Sequence, residues 1–129
     1  MFDSCPLEKN NCIPKIKFII PSEGKVLANN KKHLQIIIDR AIYKNGPCAN
    51  LNFIDTSKVT DMSELFRDSD FNGDISQWNV SNVTDMSSMF YRCEKFNQDL
   101  SRWDVSNVTN KLGIFYRCGI KSEYKPKFK

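Results

Sequence analysis

The chain has 129 residues, room for one domain with a small core, and its 40% hydrophobic and 26% charged residues are ordinary for a soluble globular protein. A net charge of +4 is too small to imply a polyanionic partner by itself, and no run of about 18 apolar residues encodes a membrane span. The opening MFDSCPLEKNNC lacks the apolar stretch of a secretory leader, so the chain as given reads as cytoplasmic, or as a piece whose leader lies elsewhere.

Residues 1–50 read as an N-terminal arm followed by a capping strand and helix. Pro6 and Pro14 mark residues 1–14 as a loosely held arm, and Lys15 to Ile20 (KIKFII) reads as a short strand ended by Pro21-Ser22-Glu23-Gly24. The spacing of Leu34, Ile37, Ile38, Ala41 and Ile42 predicts a helix over 30–45, capped by Asn29 or Asn30 and stopped by Gly46-Pro47. His33 lies in this helix beside Lys31 and Lys32, with no nucleophile near it in sequence, and reads as a solvated side chain.

Residues 51–118 say nearly the same thing three times. Val59, Val83 and Val108 are 24 and then 25 residues apart, and Phe66, Phe90 and Phe115 take the same two steps. Trp78 to Trp103, Phe71 to Phe96 and Cys93 to Cys118 each span 25 residues. Identical spacing of large apolar residues predicts an α/β solenoid: a short leucine-rich-repeat-like, right-handed stack of three coils under the N-terminal helix. Leu51, Ile54 and Thr56, then Ile75, Trp78 and Val80, then Leu100, Trp103 and Val105 are expected to face inward from three parallel strands. Thr84 or Asp85 is expected to cap a short helical turn burying Met86, Met89 and Phe90. The basic tail, residues 119–129, is expected to cover the last coil through Ile120, Tyr124 and Phe128.

The pattern F-N-x-D-[IL]-S-x-W-[ND]-V-S-N-V-T-D-M-S-x-M-F, which residues 71–90 match almost letter for letter, resembles the short repeats of BspA-like leucine-rich-repeat surface proteins, the type common in mycoplasma lipoproteins. The likeness covers residues 51–118. It implies a repeat module that binds other proteins, often at the bacterial cell surface or secreted, and it brings no catalytic residues. The third copy departs from the pattern, with Asn110 and Lys111 where the second has Asp85 and Met86.

Chemistry finds little foothold. Asp61 with Asp85, and Asp74 with Asp99, fall at equivalent positions, a spacing that acid–base chemistry or calcium can use; turn capping by short acidic side chains explains them better. The sequons at Asn79, Asn82 and Asn107 follow from the same turn chemistry. The five cysteines form no CxxC pair: Cys93 and Cys118, at equivalent positions within disulfide reach, read as packed thiols in preference to a bridge, while Cys5 with Cys12 or Cys48 is a candidate staple. No cofactor, metal site or enzymatic activity is expected. Basic clusters at Lys15, Lys31 and Lys121–Lys129 are balanced by acids within the repeats, which argues against nucleic acid. What remains is surface. Phe53, Asp55, Gln77, Asn79, Arg102 and Asp104 should point outward from successive strands as a protein-binding face with one apolar anchor, with self-association also open. The reading is therefore a non-enzymatic protein-recognition module of the surface type, with a small intracellular inhibitor or adaptor of one protein partner as the alternative.

Overall fold

A computed structural model of the chain describes residues 25–128; the expected strand at Lys15–Ile20, and Cys5 and Cys12, lie outside them. Strand β1 (Val26–Leu27) leads through an Asn-Asn turn into helix α1 (Lys31–Asn45). Asn30 is the cap: its side chain accepts from the His33 N–H at 2.9 Å, supplying one of the acceptors that a helix start lacks. At the other end Gly46, at φ 85°, donates its N–H to the Ile42 carbonyl at 2.7 Å, a backbone angle that glycine adopts without a Cβ clash. Leu34, Ile38 and Ala41 are buried beneath the helix, with Ile37 and Ile42 half-buried beside them.

β1 pairs in parallel with β2 (Ile54–Asp55), Val26 opposite Ile54 and Leu27 opposite Asp55. This pair overturns the expected fold class. The regular structure among the described residues is one α-helix, one 3-10 turn (Ser122–Tyr124) and an open two-stranded parallel sheet, not an α/β solenoid with three parallel strands. The second and third copies contain no strand, only single bridge residues at Asp85 and Asn110.

The reason lies in the L-x-x-L spacing. Each pair of residues between two apolar positions forms a tight turn, closed by a bond from residue i+3 to residue i: Ile54 N–H to Leu51 carbonyl, Trp78 to Ile75 and Trp103 to Leu100, at 3.0–3.1 Å. Val59, Val83 and Val108 close on Thr56, Val80 and Val105 in the same way. Three residues then bring the chain back to the same face, where a strand would need two or four. The expected helical turn at residues 87–93 is also a run of turns, not a helix.

Inward residues make the core. Phe66 lies 5.6 Å from Phe90, Phe90 lies 5.7 Å from Phe115, and Trp78 lies 6.4 Å from Trp103 with the rings 4° from parallel. Both indoles are buried with their N–H satisfied, Trp78 donating to the Leu51 carbonyl at 2.9 Å and Trp103 to that of Ile75 at 3.1 Å. Along the tail Ile120 is buried, and Tyr124 and Phe128 are half-buried against the core.

Candidate recognition surfaces

The face expected from a strand register does not survive as drawn. Phe53 is only 7% exposed, so it is a core residue and no apolar anchor. It turns inward because it sits inside the Leu51–Ile54 turn, where alternation does not apply. Gln77, Asn79, Arg102 and Asp104 are exposed and Asp55 half-exposed. Three of these are already committed: Asp55, Asn79 and Asp104 each accept from the N–H and hydroxyl of the serine two residues on, at 2.7–3.1 Å.

The same device recurs along two more rows. Asp74 and Asp99 hold Ser76 and Ser101; Asp61 and Asp85 hold Ser63 and Ser87. Serine hydroxyl and N–H donation keeps the Asp99 carboxyl below its usual range, and does the same for Asp55. Burial pulls Asp61 and Asp74 upward, but the bonds from Ser63 and Ser76 outweigh it and both end lowered. These carboxylates act as turn acceptors, a role Asn79 and Asn110 fill without charge. Of the sequon asparagines, Asn82 and Asn107 donate side-chain N–H bonds to the Ser57 and Ser81 carbonyls of the preceding copy, at 2.8 and 2.7 Å. Among the described residues no group of three or more His, Cys, Asp or Glu could hold a metal ion, and no helix is long and apolar enough to cross a membrane.

Cys48 is disulfide-bonded, while Cys93 and Cys118 are free. The Cys93 thiol donates to the Phe66 carbonyl, and burial pushes its pKa up to about 12. It is a packed thiol rather than a nucleophile.

A second surface was not foreseen, because it depends on left-handed residues that no turn motif announces. Glu64, Asp68, Ser88, Arg92 and Arg117 have φ of 55–60°, and Gly113 has φ 69°. In each copy two of them fall four residues apart, each third in a turn closed by an N–H bond to the carbonyl three residues back, as Leu65 to Met62 and Ser69 to Phe66. The amides of Met62, Glu64, Phe66 and Asp68 donate to the carbonyls of Asp85, Ser87, Met89 and Tyr91 at 2.8–2.9 Å. Those of Met86, Ser88, Phe90 and Arg92 donate to Asn110, Leu112, Ile114 and Tyr116 at 2.7–3.0 Å. These eight bonds offset a left-handed cost of roughly 1–2 kcal/mol per non-glycine residue.

The turns so held carry side chains that converge outside. The Arg67 guanidinium lies over the Tyr91 ring at 4.6 Å, Tyr91 lies 4.9 Å from Tyr116, and the Arg117 guanidinium lies 5.8 Å from the Tyr116 ring. Arg92 reaches Asp68 at 3.4 Å, and Arg67 reaches Glu64 at 3.2 Å. Tyr116 is 51% exposed and Leu112, on the same copy, 80% exposed. Two tyrosines and three arginines thus form one accessible strip across all three copies. A groove of about 600 Å³ opens nearby, between residues 109–115 and tail residues Lys125, Pro126 and Phe128.

No curated protein and no solved structure matches the chain. A family match does cover two thirds of it, from the middle of α1 through the three copies to the start of the tail. On residues 38–123 the chain belongs to the family described as Mycoplasma protein of unknown function, DUF285.

Proposed function

We propose that the chain is a non-enzymatic protein-recognition module acting at a bacterial surface, with the Arg67–Tyr91–Tyr116–Arg117 strip as its contact face. The observation that carries the reading is that strip: tyrosine and arginine are the residues whose truncation costs most at protein interfaces, and here they are prearranged by contacts among themselves. Exposed Leu112 adds apolar area beside it. Arg102 and Gln77, exposed but not organised by neighbours of their kind, are a weaker second patch. The disulfide at Cys48 favours an oxidising compartment over the reading as an intracellular inhibitor or adaptor. Commitment of the aspartates to turns, and of His33 to the Asn29 N–H at 3.2 Å, supports the absence of catalysis.

The test is a double variant, Tyr91→Ala with Tyr116→Ala, compared with the unaltered chain as immobilised bait for detergent-solubilised host-cell surface proteins. A partner retained by the chain and lost by the folded variant, as judged by circular dichroism, supports the strip. A partner retained equally by both removes it.

A further inference from the structure

The third copy repeats the donor row of the first two. The amides of Lys111, Gly113, Phe115 and Arg117 stand where those of Met86, Ser88, Phe90 and Arg92 stand one copy earlier, yet none of the four has a hydrogen-bond acceptor among the described residues. Lys111, Gly113 and Phe115 of this row line the groove of about 600 Å³. The opposite end of the molecule is different. There the first copy's Val59, Met62, Leu65 and Phe66 are at most 4% exposed, whereas their third-copy counterparts Val108 and Phe115 are half-exposed and Lys111 is exposed. A second copy of this chain, docking head to tail, would therefore meet a covered face.

The groove's chemistry defines another occupant. Its donors need carbonyls at every second residue, an arrangement seen twice already in this chain. Phe115 offers a ring on which an aromatic side chain can lie, as Phe115 itself lies on Phe90 at 5.7 Å. Lys111 replaces a buried methionine, and Lys125 stands across from it, so the occupant should bring a carboxylate to that position. The far wall is the tail, where Pro126 is buried and Phe128 packs on the core; across the groove the Lys125 ammonium lies over Phe115 at 5.5 Å and that of Lys111 over Phe128 at 5.7 Å, contacts worth about 0.5–1 kcal/mol each when exposed. Residues 126–128 make no backbone hydrogen bond among the described residues.

We propose that this groove docks a repeat-like segment of another protein: one with alternate carbonyls facing the four amides, an aromatic side chain over Phe115, and an acidic side chain between Lys111 and Lys125. The site uses backbone amides where the Tyr91–Tyr116 strip uses side chains, and Arg117 contributes to both, its amide to one and its guanidinium to the other.

The probe is a blocked peptide of residues 84–92 carrying Met86→Glu, added to the full chain while amide hydrogen exchange is followed by NMR. At nine-tenths occupancy, exchange at Lys111, Gly113, Phe115 and Arg117 should slow about tenfold. Exposed Lys111→Glu, which leaves the core untouched, should weaken the peptide about tenfold by replacing attraction with repulsion. Equal protection by a scrambled peptide of the same composition, protection confined to other amides, or no slowing at all would each overturn the proposal. The Tyr91→Ala, Tyr116→Ala variant should bind the peptide as the unaltered chain does, so failure here is distinguishable from failure of the strip.

Discussion

Replacing Trp78 by Ala tests whether equivalent residues of neighbouring copies support one another. The indole is 3% exposed, lies against Phe66 at 6.1 Å and Trp103 at 6.4 Å, and donates to the Leu51 carbonyl. That carbonyl also accepts from the Ile54 N–H at 3.1 Å, so truncation leaves no orphaned acceptor, and the loss is mainly apolar burial and cavity. Such a loss costs about 3–5 kcal/mol, a large part of the 5–15 kcal/mol that holds a small domain together. With a slope of about 2 kcal/mol per molar urea, the unfolding midpoint followed by circular dichroism should fall by about 2 M. A cycle with Trp103→Ala isolates the ring pair, whose coupling should be about 0.5–1.5 kcal/mol. A drop below about 1 kcal/mol, or zero coupling between the two tryptophans, would refute this account of the core.

Three further outcomes follow from the turns and the buried thiol. Asp74→Ala removes both bonds to Ser76 and should cost about 1–2 kcal/mol, whereas Asp74→Asn, which keeps the acceptor as Asn79 does, should cost only a few tenths; urea unfolding of the pair checks this. Because Asp55, Asp61, Asp74 and Asp99 are lowered on folding, their stabilisation is present above the ordinary value of 3.8 and lost as pH falls through the folded values, so acid titration should show unfolding on that side. Cys93, raised to about 12 from 9.0, contributes in the opposite direction: its stabilisation is full below pH 9.0 and lost toward 12, and iodoacetamide at neutral pH should label it only when the chain unfolds. Labelling of native Cys93 at the rate of a free thiol would contradict its burial.

The periodicity of Val59, Phe66 and Trp78 showed which residues meet, since spacing of apolar side chains survives whatever local geometry carries it. It could not show that geometry. L-x-x-L was read as a strand, yet three residues also close a β-turn, and only the bond from Trp78 N–H to the Ile75 carbonyl distinguishes them. Phe53 faces inward for the same reason, because a two-residue alternation does not hold inside a turn. Helix α1 was legible because cap, apolar face and Gly46-Pro47 stop agree with one another. The Arg–Tyr strip was hidden for the opposite reason: Glu64, Asp68, Ser88 and Arg92 carry no glycine or asparagine to announce φ above zero. Only Gly113, at the Ser88 position of the third copy, hinted at it.

Those left-handed residues have a consequence for the whole molecule. Along residues 62–68, 86–92 and 111–117 alternate amides point the same way, so this row presents carbonyls toward one end and N–H groups toward the other. Helix α1 lays Leu34, Ile38 and Ala41 over the apolar core at the first end, and Lys31 reaches across to the Ser63 hydroxyl at 3.0 Å. At the second end the tail holds Leu100 through the Tyr124 carbonyl at 2.8 Å but leaves the amides of Lys111, Gly113, Phe115 and Arg117 without an acceptor among the described residues. A buried donor row without acceptors would be costly, and a solvated one is tolerated; the half-exposure of Gly113 and Phe115 places this row between the two conditions. Recognition by carbonyls would remove that tension.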